Sequence, residues 1–434
     1  RRRLIGTFSQ NLFFLFYFNL IRWLPDLSHM QETRTTASKI IFLITLVIVL
    51  MLLTAIIFPG LYHNSFGSYP DKSQSSFDIG HHAYLLIGSN VVIFGFGFVY
   101  YKHKIQFINS KIDQLRKFEI SKKISVIILI IILGAYAGLS TPELFLNEED
   151  QWGDYILLQD ALELWPDDGS KNVRSEYVDE QLDRYVRMAL LDASLKIFQN
   201  IKILPFVASI LVVFFTYLIT VQLTGKRFAG IISMLVLLQS YTFLTFDTIA
   251  VYENFWVLFY MISIYVVRKK WILSPIFYIL SVFTKAYVAP FFLMTLYSTY
   301  RSEIETKKKY LILASYIAII FTALILVFLG ESIFTSLIEI NFSKFFLGFA
   351  DTAMQFRYDI FFIIMLLPVT IGLYILSKSN PNTDVIHSLI AGTIVFSPIL
   401  ITFTYFYDIL PYRFVPLMVF FSIGVSMFFA KKIK

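Results

Sequence analysis

The chain contains no cysteine, which excludes disulfide bonds, cysteine-ligated zinc and thiol catalysis. Charged residues are also scarce: they make up 15% of the chain, whereas soluble domains average about 25%. No P-loop and no G-x-G-x-x-G motif stands between a strand and a helix, so ATP and soluble nucleotide sugars are not expected as ligands in their usual folds. The six histidines form no cluster that favours metal binding.

Apolar residues are abundant instead: they form 57% of the sequence, and the mean hydropathy is +0.68. Apolar runs close to the length of a bilayer-spanning helix recur from one end of the chain to the other. The sequence therefore predicts an all-α, polytopic transmembrane helical bundle of about twelve spans, without a separate soluble domain. The expected spans are residues 40–61, 82–101, 124–139, 203–223, 228–246, 254–267, 272–284, 286–300, 310–330, 360–377, 387–407 and 413–430.

Basic residues predict how these spans are oriented, because Lys and Arg in short loops remain on the cytoplasmic side. Every second loop is basic, and all the basic loops fall on one side of the twelve-span arrangement. The net charge of +7 is therefore mainly a topology signal, and nucleic acid is not an expected partner, since no arginine–aromatic stripe is present. The loops 140–202 and 331–359 are predicted to be non-cytoplasmic. The basic segments are residues 102–123, 225–227, 268–270, 301–309 and 431–434.

The N-terminal part, residues 1–123, is predicted to hold an interfacial helix followed by two transmembrane spans. Residues 1–24 are basic at their start and strongly aromatic, which favours a helix lying on an anionic leaflet and in contact with membrane lipids. A spanning helix is the alternative, but it would place the run Arg1–Arg3 on the outer side. The two extra spans could contact other subunits of a membrane complex. Residues 124–434 form the remaining transmembrane module.

The largest predicted outer loop, residues 140–202, holds 14 of the 30 acidic residues. Four of them, Glu148, Glu149, Asp150 and Asp154, lie within seven positions just after the span 124–139. Helical periodicity predicts two surface helices, at residues 154–164 and 175–200. The second is amphipathic and carries Arg184 and Arg187 on its polar face, which suits a helix lying in the membrane plane.

The segment Asp150-Gln151-Trp152-Gly153-Asp154-Tyr155, placed between a span and two surface helices, resembles the GT-C superfamily of membrane glycosyltransferases. Within it, the chain is similar to the group of protein mannosyltransferases, aminoarabinose transferases and oligosaccharyltransferase catalytic subunits. The run 281–285 followed by Pro290, and the run 411–416, resemble further patterns of that family. The resemblance covers residue 124 to the end. It implies transfer of a sugar, with inversion, from a polyprenyl-phosphate donor to a lipid, glycan or protein acceptor at the outer face.

The resemblance also implies a carboxylate general base at the start of the outer loop. Asp150 is the first choice because it fills the acidic position of the motif, and Glu149 is the second. Trp152 is expected to contact the substrate. The alternative is that these acids are solvated loop residues or lie at a helix N-terminus, where acids interact favourably with the helix dipole.

Cations must stabilise the phosphate that leaves the sugar. The candidates are Lys285, at the break in the hairpin 272–300, and Arg413 beside Tyr412, with Arg357 as a weaker third. A lysine that extends its amine towards the interface is the alternative for Lys285. Arg413 could instead form an ion pair with Asp408.

The resemblance further implies a divalent cation, Mg²⁺ or Mn²⁺, or an acceptor contact, at the acids Asp154, Glu253 and Asp247. Asp154 could instead cap a helix. Glu253 and Asp247 could simply be charges at span ends, where the free-energy cost of placing a charge near the membrane is small.

Two other functions remain open at this point. The broken hairpin 272–300 would also suit a lipid or solute transporter, although transporter sites favour interrupted helices in both of two repeated halves, and no internal repeat is evident. The high aromatic content and the two extra spans would suit a non-catalytic subunit of a membrane complex.

Overall fold

The computed structural model describes residues 36–66, 77–103, 114, 117–163, 184–329, 340–403 and 410–431, and the regular structure of these residues is all helical. The predicted helix at residues 1–24 and the first part of the one at 175–200 lie outside them. The α-helices are α1 (Thr36–Ile57), α2 (Pro59–Phe66), α3 (Ala83–His103), α4 (Lys122–Ser140), α5 (Asp154–Glu163), α6 (Arg184–Phe198), α7 (Ile203–Thr224), α8 (Arg227–Leu237), α9 (Tyr241–Thr245), α10 (Phe255–Val266), α11 (Leu273–Thr284), α12 (Phe292–Arg301), α13 (Thr306–Leu329), α14 (Phe345–Gln355), α15 (Ile360–Leu376), α16 (Thr383–Phe403) and α17 (Val415–Ser426).

Six helical segments of the described chain are long and apolar enough to cross a membrane, or seven if the pair Phe345–Tyr358 and Ile360–Leu376, bent by 119°, is one span. The chain is thus an all-helical protein with the apolar spans of an integral membrane protein. Three expected spans correspond to shorter helices: α8 has 11 residues and α10 and α11 have 12 each. At 1.5 Å per residue these are about 17–18 Å long, against about 30 Å of hydrocarbon. The count of twelve therefore stays a prediction.

Helix α7 defines the two ends of the bundle. Its 22 residues give a length of about 33 Å. Around its last residue the basic loops meet: the backbone N–H of Lys431 donates to the Thr224 carbonyl, and the Lys226 amine donates to the Phe118 carbonyl. Gly225, at φ 70°, ends the helix in the left-handed conformation that favours glycine. We call this the basic end.

The opposite end of α7, which we call the site end, begins at Lys202. Here the segments 140–155, 246–254 and 285–291 meet the 3₁₀ turn Pro411–Phe414. The breaks between α11 and α12 and between α9 and α10 place charged side chains inside the bundle, as described below.

The N-terminal helices pack into the C-terminal part of the bundle. Ser38 of α1 donates a hydrogen bond to Asp384 of α16 at 2.5 Å, and the ring of Phe42 stacks on that of Tyr374 with centroids 3.8 Å apart. From α3, the Asn90 side-chain amide donates to the Ile364 carbonyl at 3.3 Å. Helix α1 is therefore a packed part of the bundle. The boundary at residue 123 stays a prediction.

Candidate functional site

The site end is built around the loop between α9 and α10, residues 246–254, all of which are buried. Buried loops are unusual because their backbone polar groups must find partners. Here three side chains supply them. The Glu148 carboxylate accepts from the backbone N–H groups of residues 250 and 251, and Arg187 donates to the carbonyl of residue 251 at 2.7 Å. The Asn254 amide donates to the Phe246 carbonyl and to the Ser209 hydroxyl, each at 3.0 Å.

Glu148 is the anchor of the acidic segment. It is 1% exposed, and its carboxylate accepts hydrogen bonds from the backbone N–H groups of Ala250 and Val251 at 2.6 and 3.2 Å. The Lys202 amine lies 3.8 Å away. Burial raises the pKa of Glu148, against the lowering effect of these partners, and burial lowers the pKa of Lys202. Both shifts favour the neutral forms, so desolvation outweighs the attraction within the pair. Glu148 fastens the segment 140–155 to the buried loop 246–254.

A second buried ionic group joins three parts of the chain. Glu253, with no exposed surface, lies 3.2 Å from Nε of Arg187 on α6 and 3.7 Å from Nζ of Lys285. Arg187 and Lys285 are 2% and 4% exposed. Buried charges of this kind are expensive unless they are paired. Glu253 therefore holds two cations in fixed positions inside the site end.

Aromatic rings form a platform beside these charges, which we define as Trp152, Tyr252 and Tyr412. The two tyrosine rings are stacked with centroids 4.5 Å apart, and the Trp152 ring meets Tyr252 edge-on at 5.0 Å. The Tyr252 hydroxyl donates to the Asp154 carboxylate at 2.8 Å. Nε1 of Trp152 is buried without a hydrogen-bond partner among the described residues.

Two cations lie against the Tyr412 ring of the platform. Nζ of Lys285 is 5.6 Å from the ring centroid, and the Arg413 guanidinium carbon is 5.5 Å from it. Nε of Arg413 also donates to the Tyr412 hydroxyl at 3.2 Å. Both distances are within the range of cation–π attraction. The structure thus brings Lys285, Tyr412 and Arg413 together with Glu253.

Asp247 is buried in the same loop but has different neighbours. Its carboxylate accepts from the Ser140 hydroxyl at 2.9 Å at the end of α4, and the Tyr136 hydroxyl faces it. Burial raises the pKa of Asp247 to about 7, an effect opposed by these two hydroxyl groups and reinforced by Glu143. A carboxyl group with this pKa is partly protonated at neutral pH.

The remaining expected site residues lie apart from this cluster. Glu149 and Asp150 are exposed in the turn before Trp152, and the backbone N–H of Glu149 donates to the side chain of Asn147 at 3.2 Å. Arg357 is exposed and lies over the ring of its neighbour Tyr358. Their roles stay predictions.

The three acids expected to bind a cation each face a different partner. Asp154 accepts a hydrogen bond from the Tyr252 hydroxyl, and Asp247 accepts one from the Ser140 hydroxyl. Glu253 forms an ion pair with Lys285. Within the described part of the chain, no group of three His, Asp or Glu side chains is arranged to hold a metal ion. The arrangement therefore adds no support to the Mg²⁺ or Mn²⁺ assignment, which stays a prediction.

Three residues of the site end were not among the expected site residues: Glu148, Arg187 and Lys202. Each shows a weak sequence signal. Glu148 is the acid nearest the preceding span, and Lys202 directly precedes an apolar run of 22 residues. Arg187 lies on the polar face of α6, yet that face turns inwards here, while Ile197 on the apolar face is 69% exposed. A helix that presents an apolar face outwards at this position suits contact with lipid.

Comparison of the chain with protein-family models, with curated proteins and with solved structures gave no match.

Proposed function

We propose that the chain is a membrane glycosyltransferase that moves a sugar from a polyprenyl-phosphate donor to an acceptor at the site end. The acceptor oxygen attacks the anomeric carbon from the face opposite the phosphate. A carboxylate takes the acceptor proton, the bond between the sugar and the phosphate oxygen breaks, and the polyprenyl phosphate leaves with that electron pair. The anomeric centre is inverted.

The observation that carries this proposal is the state of Lys285. An ammonium group has three donors; this one is almost fully buried, and its Nζ lies 3.7 Å from the Glu253 carboxylate, beyond hydrogen-bond distance. It lies against Tyr412 beside the half-buried Arg413. Two cations against the same ring suit the oxygens of a phosphate group. We assign them to the donor phosphate.

The aromatic platform supports a sugar next to that phosphate. Trp152 is half-buried and offers an apolar ring surface that can stack on the C–H face of a sugar. The buried Tyr252 supports this ring from the side by its edge-on contact. The carboxylate of Asp154, fixed by Tyr252, can accept from another hydroxyl.

Two carboxylates can reach solvent and an incoming acceptor near the platform. Asp150 is exposed two residues before Trp152, and Asp154 is half-buried two residues after it. We assign the role of general base to Asp150 and a substrate-positioning role to Asp154. The resemblance of the segment to GT-C enzymes supports this assignment, and the exposure of Asp150 allows proton transfer to solvent after each turnover.

Exposed apolar side chains provide a route for the lipid part of the donor. Leu139 and Phe145 are each 80% exposed beside the acidic segment, and Leu146 is 52% exposed. In a bilayer such residues would contact acyl chains. A polyprenyl tail could therefore stay in the membrane while its phosphate reaches Lys285.

The first test measures single-turnover transfer and donor affinity for purified variants. The donor is identified as the polyprenyl-phosphate sugar that accumulates in cells lacking the chain. Asp150→Asn should lower the transfer rate by roughly 10²–10⁴-fold, the usual contribution of a positioned base, with donor affinity unchanged. Arg413→Ala should lower both the donor affinity and the transfer rate, because the guanidinium would contact the phosphate before and during the reaction.

Glu149→Gln is the matched control for the base. Loss of transfer in Glu149→Gln but not in Asp150→Asn would show that Glu149, and not Asp150, is the general base. Transfer that survives both substitutions and also Asp154→Asn would refute the assignment of the base to this segment. A purified chain that transfers no sugar from that donor would refute the enzyme proposal in favour of a transporter or a non-catalytic subunit.

A second test concerns sidedness, and the absence of native cysteine makes it direct. Glu149→Cys at the site end and Lys123→Cys at the basic end both replace exposed residues. We expect a membrane-impermeant thiol reagent applied outside intact cells to label the first and to miss the second until the membrane is broken. Labelling of both from outside would refute the proposed orientation.

A further inference from the structure

A cavity of about 370 Å³ lies at the site end between α5, α6 and the start of α7. It is separate from the aromatic platform, and none of the expected catalytic or phosphate-binding residues lines it. Its volume falls at the lower end of the range of small-molecule sites, about 300–1,000 Å³. The lining residues are Leu144, Leu146, Asn147, Glu148, Tyr155, Gln159, Leu162, Glu163, Leu195, Gln199, Asn200, Ile201 and Lys202.

The buried charges in the cavity wall are already engaged. The Lys202 amine donates to the carbonyls of Glu143 and Leu146 at 2.9 and 2.8 Å and lies 3.8 Å from the Glu148 carboxylate. That carboxylate accepts two backbone amides. The pair therefore shapes the wall without offering a free cation, and the exposed carboxylate of Glu163 adds negative charge. This excludes an anion as the preferred occupant.

The groups that remain for a ligand are neutral. Gln159 on α5 and Gln199, directly after α6, are exposed amides. Asn147 and the half-buried Tyr155 add an amide and a hydroxyl; Tyr155 and Gln159 are hydrogen bonded to each other, which leaves the amide of Gln159 with further donor and acceptor capacity. Each amide carries both donors and an acceptor. Leucine side chains from three elements fill the apolar part of the wall. Paired donors and acceptors next to apolar surface match the hydroxyl groups and the C–H face of a sugar ring.

Gln199 gives a second, independent sign of a binding role. It follows the last residue of α6 with φ 54°, the one non-glycine residue with positive φ among the described residues. Helix ends of this form usually carry glycine or asparagine. A glutamine in this strained conformation points to a role for its side chain, since strain of this kind clusters at ligand-binding sites.

We infer that this cavity is the acceptor subsite and that the acceptor is a neutral saccharide. The inference rests on the proposed transferase function and narrows it, because a lipid or a protein side chain would not need a cavity lined with amides. Glu148, in the cavity wall, stands two residues before Asp150. Two residues of chain span at most about 7 Å, which limits the distance between the cavity wall and the proposed base.

The test uses the full chain purified in detergent and the methyl glycosides of glucose, mannose, galactose and N-acetylglucosamine. Saturation-transfer NMR and titration report binding without any donor. We expect at least one glycoside to bind, and Gln159→Leu and Gln199→Gly each to weaken its affinity about five-fold, the effect of one neutral hydrogen bond. Gln199→Gly also relieves the backbone strain, so its loss of affinity cannot come from misfolding.

Gln151→Leu is the matched control, because Gln151 is an exposed glutamine of the same loop that does not line the cavity. It should bind as the original chain does. The inference is overturned if no glycoside binds, or if the two cavity variants bind as tightly as the control. Either of these results leaves the transferase proposal standing, which Asp150→Asn tests separately. Glycoside binding that depends on Gln159 and Gln199 supports the subsite even if transfer from a polyprenyl-phosphate donor is not found.

Discussion

At the site end, the side chains of Glu253 and Arg187 are 0% and 3% exposed and lie 3.2 Å apart, whereas at the basic end Arg227 and Glu119 remain 40% and 33% exposed at 3.6 Å. Both ends are rich in charge, and they differ in whether the charged side chains are buried or exposed. The basic end also has a deeply buried acid, Asp384, which pairs with Arg301 at 2.7 Å and accepts from Ser38.

The difference shows what each set of charges does. Half-exposed pairs are screened by water and contribute little to stability, so the pair Arg227–Glu119 adds little to the stability of the basic end. A buried charge needs a partner of opposite charge at short distance, because burying it alone costs several kcal/mol, roughly, of folding free energy. The site end therefore carries charges that hold structure and, by our proposal, bind substrate.

The largest loss of stability is expected from removal of Glu253, the acid that holds two cations. Glu253→Ala takes the carboxylate from Arg187 and Lys285, and removal of one partner of a buried pair costs about 3–5 kcal/mol. We expect a large drop in the free energy of unfolding, measured by thermal or detergent denaturation of the purified chain.

Glu149→Ala is the control for that experiment, because it removes an exposed acid of the site end. It should change stability by less than about 0.5 kcal/mol. Equal stability of Glu253→Ala and the control would show that the buried group does not hold the fold.

The buried acid Asp247 should make the stability of the site end depend on pH. The pKa of Asp247 is about 7 in the folded chain against a normal value of 3.8. The folded state thus binds more protons than the unfolded state between these values. The contribution of Asp247 to stability is complete below the lower value and is lost as pH rises through 7. Asp247→Asn cannot ionise, so it should gain roughly 1–3 kcal/mol over the original chain between pH 5 and pH 8.

The measurement is the difference in unfolding free energy between these two proteins at each pH, in which titration of all other groups cancels. A difference that does not change with pH would mean that Asp247 is solvated when folded. Thr248→Val tests whether the neighbouring Thr248–Glu143 hydrogen bond is responsible, and it should leave the pH dependence intact.

The smallest effect is expected at the basic end. Glu119→Ala removes the partially exposed partner of Arg227, and such pairs contribute about 0–1 kcal/mol. Arg227 keeps its hydrogen bond to the Ile120 carbonyl at 3.2 Å. A loss greater than about 2 kcal/mol would show that the basic end is held together by charge as the site end is.

Much of the helical pattern could be predicted because it depends on nearby residues. The surface helix expected at residues 154–164 is observed as Asp154–Glu163, and the break expected at Lys285 is observed as the end of α11 at Thr284. Span counts were harder to predict, because an apolar run of 12 residues looks the same in sequence whether it crosses the bilayer or packs inside the bundle.

The arrangement of the acids could not be predicted in the same way. Glu148, Glu149 and Asp150 are chemically similar neighbours, and only the first is buried. What selects it is a pair of backbone amides at residues 250 and 251 and the amine of Lys202. Partners that far along the chain leave no mark on the local pattern.

The bond between Glu148 and Ala250 has a consequence for biogenesis. Its partners are 102 residues apart, and a ribosome needs about 5–20 s to synthesise that length. During this time Glu148 has been synthesised, but the loop 246–254 that it binds has not. Folding of the site end must therefore wait until α7, α8 and α9 have been synthesised, and the 140–163 segment is unattached until then.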